Sequence, residues 1–153
     1  MEKEIIKKHI DSSLALLYDN DLYLFSNRVN ERTITGKLAY YLNLYIQDYD
    51  IDCEYNRNKD KPKYVNWDIH NPDIIMHRRW SNDYNILWCE CKPYRNTRNE
   101  NDDIETIKWS MIWELNYNFW LYINFGEILT NCKIILFSKN YEWIIEEDLS
   151  RSV

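Results

Sequence analysis

The strongest chemical signal in the chain comes from Asp73, directly after Pro72, and from Glu90 and Lys92, which are separated only by Cys91. In the run Asn85-Ile86-Leu87-Trp88-Cys89-Glu90-Cys91-Lys92, a period of two puts Glu90 and Lys92 on one face of a strand and Leu87, Cys89 and Cys91 on the other. An acid and a base therefore end an otherwise apolar strand side by side. Asp73 opens the preceding extended segment, and the turn at 78–84, with Ser81-Asn82-Asp83 in it, lets the two segments pair as a hairpin with Asp73 opposite the Glu90 end. Two carboxylates that converge repel, and one takes up a proton unless a hard divalent cation joins them through carboxylate oxygens, a backbone carbonyl and water. Lys92 is spaced to orient or deprotonate a cation-bound water and to steady the charge that builds on a phosphate under attack. Glu31 can add a further carboxylate through water.

Helices and strands must carry these residues to one place. Ile6, Ile10, Leu14 and Leu17 mark a first amphipathic helix, stopped by Asp19-Asn20-Asp21. After Asn30 as N-cap, Ile34, Leu38, Tyr41, Leu42, Tyr45 and Ile46 form the stripe of a second, with Glu31 at its N-terminal end. Extended segments follow at 51–55, 73–77 and 85–92, the first two separated by a polar loop containing Pro62. Asp102 and Glu105 read as a capping box for a third helix striped by Ile104, Ile107, Met111, Ile112 and Leu115, and 119–125 and 133–137 read as two further strands. The order α-α-β-β-β-α-β-β predicts an α/β chain of the α+β kind, with a mixed central sheet flanked by helices, in one domain spanning 1–153.

Composition narrows the chemistry. With 153 residues, 45% hydrophobic and 16% aromatic, the chain can bury a sizeable core and disorder is excluded. Only Gly36 and Gly126 are glycines, so neither a dinucleotide-binding nor a P-loop phosphate cradle can be built. The net charge of −6 is unevenly spread: residues 55–98 hold nine basic against five acidic residues, whereas both ends are acidic. An anionic partner is expected at that middle segment, where Arg78 and Arg79 follow Asp73 and Arg95 and Arg98 follow Lys92. Trp67 and Trp80, in polar stretches of the same segment, are candidates for stacking on bases. Glu54, at the end of the first strand, can face the same cleft but reads first as an exposed strand residue, and His9, His70 and His77 lack metal-ligand spacing. The cysteines, Cys53, Cys89, Cys91 and Cys132, contain no CxxC pair and read as small buried hydrophobes in a reducing cytoplasm. No apolar run approaches the length of a membrane span, and no secretory signal is visible.

Pro72-Asp73 followed by Glu90-Cys91-Lys92, with Glu31 on an upstream helix, resembles the PD-(D/E)xK nuclease superfamily over about residues 28–138. The resemblance implies a restriction-endonuclease-like αβββαβ core, here with an extra N-terminal helix. It further implies Mg²⁺ or Mn²⁺ as cofactor and DNA phosphodiesters as substrate. Asp73, Glu90 and the Cys91 carbonyl fall at the metal-ligand positions, Lys92 at the catalytic lysine and Glu31 at the helical acid. Cys91 stands where an aliphatic residue is usual, and beyond Lys108 there is no later Gln or Lys motif. The expectation is a cytoplasmic, Mg²⁺-dependent endodeoxyribonuclease. The alternative is a catalytically inactive nuclease-fold binding, immunity or regulatory protein, whose acidic ends suit a basic protein partner; a homodimer stays open.

Overall fold

A computed structural model describes residues 1–27, 29–93, 100–112, 115–140 and 143–151. The first apolar stripe builds α1 (Lys3–Ser26), which runs through the acidic triplet that the sequence reads as its end. The triplet only kinks it: Asp21 leaves helical geometry at φ −123° and ψ 25°. Beyond the kink, Phe25 is buried with its ring stacked on Tyr18 at 4.2 Å, and the Tyr18 hydroxyl donates to the Gly126 carbonyl at 2.8 Å. Tertiary burial thus overrides the local break. In α2 (Glu31–Tyr45), Asn30 is the N-cap, its Oδ1 accepting from the Thr33 N–H at 3.0 Å.

The chain continues through β1 (Asp50–Cys53), β2 (Arg57–Asn58), β3 (Lys61–Pro62), β4 (Tyr64–Val65), β5 (Asp68–Ile69), β6 (Ile74–His77) and β7 (Leu87–Lys92). It then forms α3 (Glu100–Ile112), β8 (Phe119–Asn124), a 3-10 turn (Leu129–Asn131), β9 (Lys133–Asn140) and β10 (Trp143–Asp148). Six strands make one mixed sheet in the order β1-β6-β7-β8-β9-β10. All neighbours are antiparallel except β7 and β8, which run parallel because α3 carries the chain back across the sheet. This is the mixed α+β architecture the sequence predicts. Three details differ. Glu100 begins α3, so Asp102 and Asp103 lie inside its first turn and Asp102 does not cap it. The expected polar loop after β1 is two small hairpins, β2–β3 and β4–β5. β10 has no apolar stripe to announce it; its side chains are mostly exposed and backbone pairing to β9 holds it.

Alternation along the strands divides the core in two. Leu87, Cys89, Cys91, Leu121, Ile123 and Leu136 pack under α1 and α2. Ile75, Trp88, Trp120, Tyr122 and Phe137 face the other way, under Ile107 and Met111 of α3 and Val65 of β4. Among the described residues no helix is long and apolar enough to cross a membrane. The cysteines are free thiols, three of them buried and Cys53 exposed.

Lys63 ties the hairpins to this second face. It is only 1% exposed, and its ammonium donates to the Tyr55 carbonyl at 3.1 Å and the Tyr117 hydroxyl at 2.9 Å. It also lies 5.3 Å from the ring centres of Trp88 and Tyr117 and 5.5 Å from that of Tyr55. Burial pulls its pKa down to about 7, against the attraction of the Glu90 and Asp52 carboxylates. A lysine whose pKa falls on folding binds fewer protons when folded, so its stabilising contribution is complete above the unfolded value and is lost as pH drops through about 7. Lys63→Met is therefore expected to flatten the rise in the urea midpoint between neutral and alkaline pH, measured beside the unmodified chain.

Candidate active site

β6 and β7 bring the predicted residues together. Ile74 pairs with Cys89, so Asp73, one position earlier, stands beside Glu90 and Cys91 where the ladder ends. Asp73 Oδ2 accepts the Cys91 backbone N–H at 2.7 Å. The N–H and C=O of one strand residue point to the same edge, so the Cys91 carbonyl also faces the Asp73 side. Glu90 is 7% exposed, with Oε1 accepting the Trp88 indole N–H at 2.7 Å. His70 Nε2 lies 2.9 Å from the same oxygen, and its ring stacks on Trp88 at 5.4 Å between centres and 15° between planes. Nε2 donates there when it carries the proton. Burial works to lower the His70 pKa, but the bond to Glu90 and the charges of Glu90 and Asp73 raise it overall.

Burial and the neighbouring Glu90 charge push the Asp73 carboxyl up to about 7, with Glu31 adding to the rise and the Cys91 N–H and Lys92 opposing it. Glu31, the first residue of α2, is thus within electrostatic reach of Asp73. Lys92 Nζ sits 3.1 Å from Asp103 Oδ1 on α3. Burial disfavours its charge, yet Asp103, Glu31 and Asp73 more than compensate, and its pKa is raised. Lys92 is therefore an ammonium at neutral pH. Beside Asp73, a cavity of about 200 Å³ is lined by Arg32, Thr35, Cys53 and Glu54. Glu54 accepts the Arg32 guanidinium at 2.6 Å, and the buried Thr35 hydroxyl has no partner among the described residues.

Two of the predicted arginines fall elsewhere. Arg78 and Arg79 lie past the C-terminal end of β6, a strand length (~13 Å) from Asp73. Arg79 is taken up by Asp52, at 2.6 and 3.0 Å, and Asp50, while Arg78 stacks over Tyr84 at 4.7 Å. The hairpin reverses direction there, so nearness in sequence becomes distance in space, and these two do not flank the carboxylates. Arg95 and Arg98 lie outside the described residues. Trp67 and Trp80 are 83% and 81% exposed, Trp80 in the turn that follows Arg79. His70, Trp88 and Asp103 are the residues sequence reasoning missed. A histidine three positions before Asp73 was the available signal for the first, but only tertiary pairing aims it at Glu90.

Among the described residues, no three His, Cys, Asp or Glu side chains form a ready-made metal cage. The donor set still suits Mg²⁺ or Mn²⁺, which bind through one or two carboxylates and keep several waters. Oδ2 of Asp73 and Oε1 of Glu90 are committed to protein donors, and no bond among the described residues engages their second oxygens. Burial first and the Glu90 charge second raise the Asp73 pKa, so positive charge brought to the pair favours its ionised form.

No known protein family, curated protein or solved structure matches the chain.

His70→Ala removes one of two donors on the buried Glu90 carboxylate. Urea unfolding is expected to show a loss of about 1–2 kcal/mol, since hydrogen bonds to charged groups are worth about 1.5–3 and His70 is partly solvated. A change within error would show that Trp88 alone holds Glu90.

Proposed function

We propose that the chain is a divalent-cation-dependent deoxyribonuclease that hydrolyses phosphodiester bonds at Asp73, Glu90 and Lys92. The observation that carries this reading is the 2.7 Å bond from the Cys91 N–H to Asp73, which draws two carboxylates to the strand end that also bears Lys92. The order α2, β1, β6, β7, α3, β8, with three antiparallel strands and a parallel fourth after a helical crossover, agrees with a restriction-endonuclease-like αβββαβ core.

Asp73, Glu90 and the Cys91 carbonyl would hold Mg²⁺ or Mn²⁺, with Glu31 acting through water. Such a cation, when bound, polarises the phosphoryl group and lowers the pKa of water. His70 and Trp88 keep Glu90 Oε1 occupied, which limits the carboxylate to one orientation and leaves Oε2 for the cation. Lys92, paired with Asp103 here, offers positive charge to the phosphate or a proton to the leaving oxygen. It must first exchange Asp103 for the substrate.

Plasmid, linear and branched DNA incubated with the protein are expected to be cut only when Mg²⁺ or Mn²⁺ is present. Lys92→Ala should slow cutting at least ~100-fold while retaining Mn²⁺ binding by calorimetry and an unchanged circular dichroism spectrum. DNA left intact in every form, with no Mn²⁺ bound, overturns the proposal.

One observation favours the second reading, an inactive nuclease-fold binding protein: Asp103 already neutralises Lys92. Asp103→Asn separates the two. In an enzyme, releasing Lys92 changes the cleavage rate; in an inactive scaffold, neither form cuts DNA.

A further inference from the structure

We propose that a cavity at the opposite end of β7 and β8 from Glu90 and Lys92 binds a small oxyanion, a phosphate or carboxylate group, between the Lys139 ammonium and the Trp120 indole. The cavity measures about 310 Å³, within the range of small-molecule sites, and is lined by Met111, Asn116, Tyr117, Asn118, Trp120 and Lys139. Among the described residues no carboxylate lines it. Its polar groups are an ammonium, two side-chain amides, a phenol and an indole N–H, a set dominated by donors and carrying one positive charge.

Two of those groups lack the partners their chemistry calls for. Trp120 is 2% exposed, and its Nε1 is shut off from solvent with no acceptor among the described residues. A buried donor without an acceptor forfeits the hydrogen bond it would make with water, and such groups are rare in stable folds. Lys139 makes no ion pair among the described residues; its ammonium lies 5.9 Å from the Trp120 ring centre, and its register partner on β10 is Ile144. An acceptor-bearing anion held by the Lys139 ammonium supplies what both groups lack once the side chains that cover Nε1 move aside to admit it.

The walls are built in advance. Asn116, on the cavity wall, adopts a left-handed conformation at φ 54°, which asparagine tolerates better than most residues. The Leu115 carbonyl accepts from the Asn85 side chain at 2.6 Å, and the Asn118 N–H donates to the Asn85 carbonyl at 3.1 Å. The Tyr117 hydroxyl is held by Lys63. The cavity uses none of the residues proposed for cleavage, so either reading can fail without the other. The net charge of −6 repels anions at long range, but salt screens that repulsion beyond about 8 Å and leaves the local ammonium to decide.

The test reads the Trp120 indole ¹H–¹⁵N resonance, assigned by its loss in Trp120→Phe, while sodium phosphate and sodium acetate are added separately against matched sodium chloride. If Trp120→Phe does not fold, the resonance is identified as the indole signal that Lys139→Met displaces without any addition. A saturable shift is expected with at least one anion, and Lys139→Met should weaken it ~10-fold or more, the worth of one charged hydrogen bond. A response to phosphate alone identifies a phosphate-bearing ligand, and a response to acetate alone a carboxylate. No shift with either, or an equal shift in Lys139→Met, overturns the proposal.

Discussion

The Asp73 carboxylate cannot reach water freely and cannot move away from Glu90, because its Oδ2 is tied to the backbone of the strand that carries Glu90. Everything around the site answers this confinement of negative charge. Trp88 and His70 supply donors to Glu90, Lys92 supplies positive charge, and Asp103 in turn neutralises Lys92. Burial and the Glu90 charge still push the Asp73 carboxyl up to about 7. Positive charge brought to that pair would favour its ionised form, and the nuclease proposal starts from that point.

The two small hairpins after β1 make this arrangement possible. They lay His70 over Glu90 and drive Lys63 into a cage of Tyr55, Trp88 and Tyr117. Trp88 thus has one neighbour on each side of its role: Lys63 packs near its ring, while its N–H fixes Glu90. A segment rich in charge and poor in apolar periodicity closes one face of the sheet through polar and aromatic contacts in place of an apolar stripe. Its turns pass through left-handed residues such as Lys59, Asn66 and Trp67, conformations that bulky side chains seldom adopt and that pairing of the short strands sustains.

Most of the sheet and helices were legible in the sequence because their signal is local. The stripes of α1 and α2, the Asn30 cap and the alternation in β7 come from residues within a few positions of one another. What went unread depends on contacts distant in sequence. α1 outlasts Asp19-Asn20-Asp21 because Phe25 meets Phe125, and the Tyr18 hydroxyl meets the Gly126 carbonyl, across the fold. β10 exists because β9 offers an edge, and the hairpins exist because Lys63 is buried. Asp103, in the first turn of α3, meets Lys92 only because the crossover lays that helix over the end of β7.

By itself the sequence determined the mixed α+β architecture and the grouping of Asp73, Glu90 and Lys92, since a period of two and a short hairpin settle which side chains share an end of a sheet. Only the tertiary structure decided what surrounds them. His70 and Trp88 close on Glu90, Asp103 closes on Lys92, and Arg78 and Arg79 go to the far end of the hairpin, where Asp50 and Asp52 receive Arg79. The reason is geometric. Chain neighbours on a strand separate by about 3.3 Å per residue, whereas residues far apart in sequence meet only when the sheet and the crossover of α3 bring them together.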